Sequence, residues 1–167
     1  ALADNVAVRD RVRGFSQAGM PVYAECGGFM YLCRELRVGD AVYPMAGVFP
    51  LATTLCPRPQ GLGYCRAVVR RENPFHPVGF ELPGHEFHYS RCLASLDDVP
   101  APDPGAFCLD MRRGSGMLHG LDGILHDATF AAYTHIHALG APHWATNFVA
   151  AASGYMAGRD GRGRLSP

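Results

Sequence analysis

The sequence predicts an α/β fold, and three observations lead to this class. The short apolar run PVYAE (residues 21–25) breaks at a Cys-Gly-Gly turn and continues in a helical pattern, the order strand, tight turn, helix. Short apolar runs separated by proline and glycine fill residues 41–125 and predict several strands. Residues 129–137 predict one more strand, after which a proline opens a final helix.

The helical elements follow from the spacing of apolar residues. Residues 1–18 predict an amphipathic helix that Gly19 ends, with arginines between its apolar positions Leu2, Val6, Val12 and Phe15. The run FMYLCREL (29–36) predicts the helix after the turn. The last helix starts at Pro142 and repeats apolar residues at Trp144, Phe148, Ala152 and Tyr155. We expect one domain over 1–157 and a flexible tail over 158–167.

Composition narrows the classes of function. The formal net charge is zero with both signs spread along the chain, so nothing indicates a nucleic-acid partner, and a small uncharged or zwitterionic substrate fits better. All 15 basic residues are arginine. A P-loop lysine, a Schiff-base lysine and a lysine base are therefore excluded, and any ATP must be held outside this chain.

The cysteines and the hydropathy pattern bear on location. The six cysteines form no C-x-x-C pair and lie in apolar contexts, which favours buried thiols in a reducing compartment. No run approaches the ~20 apolar residues of a membrane span, and no charged n-region followed by an apolar core marks a signal peptide in this sequence. We expect a cytoplasmic protein. The missing initial methionine indicates a piece of a longer one.

The Cys-Gly-Gly turn is the first candidate for chemistry. A sharp turn from strand to helix pushes a side chain out of the sheet, and the helix N-terminus would lower the pKa of the Cys26 thiol toward the attacking thiolate. Gly27 and Gly28 leave room for a substrate, and the Gly27 N–H is a candidate oxyanion-hole donor. The alternative is that Cys26 is an ordinary small core residue.

A thiol nucleophile needs a proton carrier, and the chain has eight histidines. His135 and His137 stand at the end of a predicted strand, where alternate residues project to one face. Only one of them needs to reach the thiol. The chain order would bring them near the turn at the carboxyl ends of a sheet.

Four motifs in this order, PVYAECGGFMYL, GLGYCR, GHEFHYS and AAYTHIHALGAP, resemble the C-terminal glutamine amidotransferase domain of the cobyrinic acid a,c-diamide synthase family. The resemblance runs from about residue 3 to about residue 150. It implies a class I glutamine amidotransferase fold, which is a flavodoxin-like mixed sheet with helices on both faces. It also implies Cys26 as nucleophile and His135 as catalytic histidine.

The resemblance implies partners as well. The complete family enzyme carries an N-terminal synthetase domain, where ATP and Mg²⁺ activate carboxylates of a corrin-type tetrapyrrole for attack by ammonia from glutamine. No cofactor is expected in the present chain. The family's domain normally begins earlier, with a strand and a glycine-rich oxyanion loop, so the fragment is expected to have little activity by itself.

Two site assignments stay open at this stage. Class I relatives complete a triad with His-x-Glu, whereas this chain has His137 where the glutamate would be, so the third partner is unassigned. Glu86 and His88, two apart on a predicted strand, share a face that His85 does not. They either support the histidine or the domain contact, or they make ordinary structural hydrogen bonds.

Two other functions compete with the amidotransferase. His135 and His137 with His85, Glu86 and His88 are the residue types of a zinc site in a metal-dependent hydrolase, although no H-E-x-x-H helix is present. A non-catalytic domain that keeps the amidotransferase shape is the third possibility.

Overall fold

Two β-sheets form most of the structure, which is a computed structural model describing residues 2–93 and 102–163, with side chains as far as Arg159. The larger sheet contains β1 (Val22–Glu25), β5 (Gly61–Val69), β6 (Glu81–His88), β8 (Phe107–Arg113), β9 (Leu121–His126), β10 (Thr129–Ala132) and β11 (His135–Ile136). The smaller contains β2 (Cys33–Val38), β3 (Ala41–Pro44), β4 (Phe49–Leu55) and β7 (Ser90–Cys92). The helices are α1 (Val6–Gln17), α2 (Gly27–Leu32), α3 (Trp144–Gly163) and a 3-10 turn, Pro104–Ala106. Of the predicted strand region 41–125, residues 94–101 lie outside the described residues.

Both sheets are mixed. The order in the larger sheet is β1-β10-β9-β8-β5-β6-β11, and its β1–β10 pair is parallel while the other pairs are antiparallel. In the smaller sheet, of order β3-β2-β4-β7, the parallel pair is β2–β4. Parallel pairing of β1 with β10 matters for function, because it places the residues that follow both strands at the same edge.

Helices cover both faces of the larger sheet. Along β10, Phe130 packs in one cluster of buried apolar side chains and Ala131 packs in another. Since neighbouring strand residues point to opposite faces, the two clusters lie on opposite sides of the sheet. Helix α2 adds Phe29 to one cluster, and α3 adds Trp144 and Phe148 to the other. The predicted mixed sheet with flanking helices is confirmed.

Helix α1 forms as predicted, but its apolar face is largely uncovered. The Asn5 side chain caps its first turn by accepting the N–H of Val8 at 3.2 Å. Gly19, at φ +76°, takes the left-handed conformation that ends the helix region. Val12 packs against the core, whereas Leu2, Val6 and Phe15 are exposed. The predicted amphipathic helix therefore forms, but most of its apolar side chains are exposed.

The helix predicted over 29–36 ends at Leu32, and the following residues form β2. Cys33 already has an extended backbone, with φ −64° and ψ 170°. From there the chain pairs with β3 on one side and β4 on the other. The prediction was wrong here because pairing with two strands distant in sequence outweighs a weak local helical pattern.

The strand predicted over 129–137 is two strands. Residues of β10 pair with β1 and β9, but after Tyr133 and Thr134 the chain pairs with β6 as β11. Because β6 and β10 are far apart in the strand order, the larger sheet must curl until β6 lies beside the end of β10. His137 lies beyond β11, so it does not share a strand face with His135 as predicted.

Helix α3 begins at Trp144, close to the predicted start, and continues to Gly163. The backbone is thus helical in the first part of the segment expected to be a flexible tail, and residues 164–167 lie outside the described residues. The division between domain and tail stays a prediction. No helix in the described part of the chain is long and apolar enough to cross a membrane.

Candidate active site

Cys26 occupies a strained turn between β1 and α2. Its backbone has φ 48° and ψ −102°, in the positive-φ half that residues other than glycine seldom adopt. Its N–H donates to Ala132 O at 2.8 Å, and its carbonyl accepts the N–H of Met30 at 3.0 Å. These bonds tie the turn to the end of β10 and to α2. The geometry is that of a nucleophile elbow, in which strain holds the side chain at the sheet edge.

The two glycines after Cys26 have different surroundings. A Cβ on Gly28 would lie 3.2 Å from the Cβ of Ala24, so glycine there lets α2 pack closely on β1. A Cβ on Gly27 would meet nothing within 4 Å. The side of Gly27 that a side chain would occupy is therefore open, and its N–H donates to the Cys26 sulfur. Its role as oxyanion donor stays a prediction.

The pKa of the Cys26 thiol is raised, which contradicts the expected lowering. Burial is the main cause, and the charges of Glu25 and Asp122 add to it, while a hydrogen bond from the Gly27 N–H acts in the opposite direction. Helix α2 has only 6 residues, so its dipole is too small to outweigh burial. Deprotonation of this thiol consequently requires a base.

His135 lies at the same edge of the sheet as the elbow. Its Nδ1 is 3.3 Å from Glu25 Oε2, and the other Glu25 oxygen accepts the Ile136 N–H at 3.2 Å. Its ring stacks on His85, with centroids 4.9 Å apart and planes 15° apart. The Glu25 carboxylate and the His85 ring together hold the orientation of the imidazole, although the ring remains partly exposed.

The parallel strands place Cys26 and His135 at the same edge of the larger sheet. In the β1–β10 register Glu25 faces Ala132, so Cys26 and His135 both follow the carboxyl ends of neighbouring strands. The sulfur also lies 4.0 Å from Phe87 O. Within the described residues no hydrogen bond joins the thiol to the imidazole, and such bonds are commonly long before substrate binds.

Glu86 and His88 are buried on the face of β6 that turns away from His85, as the alternation predicted. Glu86 accepts the N–H groups of Ser115 and Gly116 at 2.8 and 2.6 Å. Burial would raise the Glu86 pKa, but the nearby His88 imidazole and these two N–H groups lower it. Neither residue touches His135, which favours the structural alternative.

The imidazole of His88 supports the site indirectly. Its Nδ1 lies 2.7 Å from Ser90 O, and its ring lies flat on Tyr133 with centroids 3.9 Å apart. The Tyr133 hydroxyl is 2.9 Å from Ser90 Oγ. Since Tyr133 is two residues before His135, this packing helps to place the chain that leads to the imidazole.

His137 stands beside the site without contacting Glu25. Its Nδ1 accepts the Leu139 N–H at 3.2 Å, and with Tyr64, His85 and His135 it lines a depression of about 200 Å³. The side chains of the competing zinc hypothesis do not converge: among the described residues no group of three or more His, Cys, Asp or Glu is arranged to hold a metal ion.

Two carboxylates close to the candidate site were missed from the sequence. Glu25 contacts His135, and Asp122 is buried and its charge raises the pKa of Cys26. Glu25 carried one signal, since it directly precedes the candidate nucleophile. Asp122 carried none, because its hydrogen bonds join it to Tyr133 and Thr134 in the segment between β10 and β11.

Comparison with known proteins decides the family. The CobB/CobQ-like glutamine amidotransferase domain matches residues 1–143 of this chain, which is most of its length. The chain belongs to this family. The resemblance seen in the motifs is thereby confirmed, and the elbow at Cys26 is the feature that a cysteine-dependent glutaminase requires. The metal-dependent hydrolase is not supported.

The curated relatives of this CobB/CobQ-like domain are longer proteins. It is 40% identical over 144 residues to a cobyrinate a,c-diamide synthase of Magnetococcus marinus, covering 86% of this chain and 30% of that protein. It is 38% identical over 151 residues to one of Methanosphaera stadtmanae, covering 90% and 31%. It is 36% identical over 148 residues to one of Methanothermobacter thermautotrophicus, covering 89% and 31%. The chain thus spans about 30% of these relatives.

A solved structure shows the same fold at low sequence identity. A putative GMP synthase subunit from Thermoplasma acidophilum superposes with a TM-score of 0.56 at 15% identity, covering 95% of this chain and 71% of that chain. This likeness supports the fold assignment alone.

Proposed function

We propose that this chain hydrolyses glutamine with Cys26 as nucleophile and supplies the ammonia to an amidation of the cobyrinate a,c-diamide synthase type. The observation that carries the proposal is the strained elbow at Cys26 beside the His135–Glu25 pair. A raised thiol pKa is consistent with it, because a base beside the thiol is then needed and an imidazole is in place.

In the proposed reaction His135 takes the proton of the Cys26 thiol, and the sulfur forms a bond to the carboxamide carbon of glutamine. The oxygen of the tetrahedral intermediate accepts the N–H of Gly27. The carbon–nitrogen bond then breaks while His135 returns the proton to the leaving nitrogen, which departs as ammonia. Water, deprotonated by His135, hydrolyses the thioester to glutamate and restores the thiol. Glu25 keeps the imidazole aimed at the sulfur throughout.

The rest of the reaction belongs to a part outside this chain. The relatives are about three times as long and are cobyrinate a,c-diamide synthases. We propose that an N-terminal synthetase domain binds ATP, Mg²⁺ and the tetrapyrrole, in keeping with the absence of lysine here. The six cysteines are free thiols, which supports a reducing, cytoplasmic location.

An apolar strip beside the site is the proposed contact for that synthetase domain. Leu62 faces Phe87 across β5 and β6, and Tyr64 faces His85. The exposed fractions of Leu62, Tyr64 and Phe87 are 68%, 79% and 58%. The strip borders the site at Phe87 O, and ammonia released there has to reach the acceptor before water protonates it. A domain that covers this strip would bury its apolar area and would also enclose the path of ammonia from the site to the acceptor.

Covalent labelling tests the glutaminase proposal on this chain. A diazoketone analogue of glutamine is expected to alkylate Cys26 and to leave Cys56, which is also partly exposed, unmodified. Peptide mass spectrometry locates the label, and free glutamine should protect Cys26. His135→Ala should slow labelling while leaving the fold intact. Equal labelling at Cys56, or none at Cys26 in folded protein, would favour the non-catalytic amidotransferase-like domain.

A further inference from the structure

The chain between β10 and β11 has no strand partner for its backbone. Tyr133 and Thr134 have left the pairing with β9 and have not yet joined β6. Both are buried, so their N–H groups need acceptors within the protein. Asp122 of β9 supplies them: its Oδ1 accepts the Tyr133 N–H at 3.0 Å, and its Oδ2 accepts the Thr134 N–H at 2.9 Å.

The Thr134 hydroxyl adds a third bond to the same carboxylate, donating to Asp122 Oδ2 at 2.8 Å. A carboxylate accepts through both oxygens and donates nothing when ionised, so it matches three converging donors as no amide can. Asp122 is fully buried, and burial raises its pKa while these bonds lower it. A buried carboxylate is costly to keep, which indicates a function beyond packing.

What these bonds control is the position of the next residue. His135 follows Thr134 directly and is the first residue of β11, which is only two residues long. A strand that short cannot set its own direction, so the orientation of His135 depends on the two residues before it. Tyr133 is held at its other end by Ser90, whose Oγ lies 2.9 Å from its hydroxyl.

We propose that Asp122 is a positioning residue that holds the Tyr133–Thr134 backbone so that His135 reaches the Cys26 thiol. The proposal rests on the proposed function, in which His135 is the proton carrier. No contact joins Asp122 to the His135 ring in the described part of the chain, so it acts through the backbone.

The test follows the pH dependence of Cys26 alkylation by iodoacetamide in the folded chain. His135→Ala defines the profile without the imidazole. Asp122→Asn removes one acceptor oxygen, but it also removes a charge that raises the Cys26 pKa, which alone would speed alkylation at neutral pH. Thr134→Val is therefore the decisive variant because it keeps the charge and loses one bond. Thr134→Ser keeps the hydroxyl and is its matched control.

We expect Thr134→Val and Asp122→Asn to shift the profile toward that of His135→Ala, with a several-fold lower rate at neutral pH. Combining Thr134→Val with His135→Ala should add nothing further, since both act through the same imidazole. Thr134→Ser and Asp110→Asn, the latter an exposed carboxylate on β8, should match the unsubstituted chain.

Two different results would contradict the inference, and they can be told apart. If His135→Ala changes the profile but Thr134→Val and Asp122→Asn only lower the melting temperature, Asp122 is structural and the inference is overturned. If His135→Ala leaves the profile unchanged, the proton-carrier assignment itself is wrong, and the inference falls with it.

Discussion

The carboxylate of Glu25 lies 3.3 Å from Nδ1 of His135, although 110 positions separate the two residues in sequence. A His-x-Glu arrangement would take this carboxylate from position 137, which is a histidine here. Glu25 reaches the imidazole instead from the end of β1, directly before the proposed nucleophile Cys26. The site thus draws its thiol and its orienting carboxylate from consecutive residues, and only the histidine comes from elsewhere.

Replacing Glu25 by glutamine should weaken catalysis without unfolding the chain. The neutral amide cannot balance the charge of a protonated imidazole as a carboxylate does, so His135 loses orientation and basicity. In a full-length enzyme carrying this domain, we expect glutamine hydrolysis to fall on the order of 10²-fold in kcat with little change in KM, as for loss of general acid-base assistance. Steady-state release of glutamate measures both constants.

Glu35→Gln is the matched control for this substitution. Glu35 is also a partly buried carboxylate, but it pairs with Arg37 in the smaller sheet, away from the site. It should retain full turnover. Equal rates for Glu25→Gln and the unsubstituted chain would show that the contact with His135 has no catalytic role.

Gly84→Ala should displace β11 and the histidine it carries. A Cβ at this position would lie 2.5 Å from His135 O and 2.6 Å from Thr134 Cγ2, and both distances are shorter than a van der Waals contact. Because one of the clashing atoms is backbone, the strand has to move. We expect a loss of roughly 1–3 kcal/mol in the free energy of unfolding, measured with urea.

The control for this strain is Gly14→Ala. A Cβ on Gly14, inside α1, would meet nothing within 4 Å, so the change should stabilise by about 0.5–1 kcal/mol through helix propensity. In addition, Gly84→Ala should slow Cys26 labelling by the glutamine analogue. Unchanged stability and labelling would mean that the β6–β11 contact adapts freely.

Acid should destabilise the domain through His76. Burial, aided by the nearby His143, lowers the His76 pKa to about 4, and its ring nitrogens lie 3.1 Å from the Tyr23 hydroxyl and from His143 Nε2. The unfolded chain then binds more protons than the folded one between about pH 6.5 and about pH 4. Stability is complete above this window and falls as pH decreases through it, by on the order of 3 kcal/mol.

Urea unfolding at pH 7 and pH 5 tests whether the free energy of unfolding falls as the pH decreases. His76→Gln removes the titrating group and should reduce the pH dependence of the free energy of unfolding. The variant should also be less stable than the unsubstituted chain at pH 7. His126→Asn, which alters an exposed histidine, should leave the slope unchanged. A slope that survives in His76→Gln would assign the acid sensitivity to other groups.

A charge on the apolar strip should uncouple glutamine hydrolysis in this domain from amidation in the proposed synthetase domain. In a full-length enzyme carrying this domain, Leu62→Asp is expected to lower glutamine-dependent amidation about tenfold, the effect of losing ~1.4 kcal/mol of docking energy. Amidation with added ammonia should be unaffected, because it bypasses the strip. Val42→Asp, an exposed apolar position on β3, is the control. Loss of both activities together would place the strip in folding rather than docking.

Local signals were sufficient for several elements. Gly19 predicted the end of α1, and the Cys-Gly-Gly turn predicted the elbow at Cys26. Alternation on β6 correctly separated His85 from Glu86 and His88. These features depend on residues close in sequence, where backbone preferences and side-chain period act directly.

Features that depend on distant contacts were mispredicted or missed. The chain after Leu32 turns into a strand because β3 and β4 lie on either side of it. The strand after Thr129 breaks because Asp122 binds the N–H groups of Tyr133 and Thr134. The thiol pKa rises because the folded chain buries the sulfur, whereas the sequence showed only a helix start.

The residues alone predict an α/β amidotransferase with its nucleophile at Cys26, because the turn residues and the order of the motifs are properties of the sequence. The contact of His135 with Glu25 could not be predicted from the sequence. It depends on the parallel register of β1 and β10 and on the curl of the sheet, and both arise only when segments remote in sequence pack together.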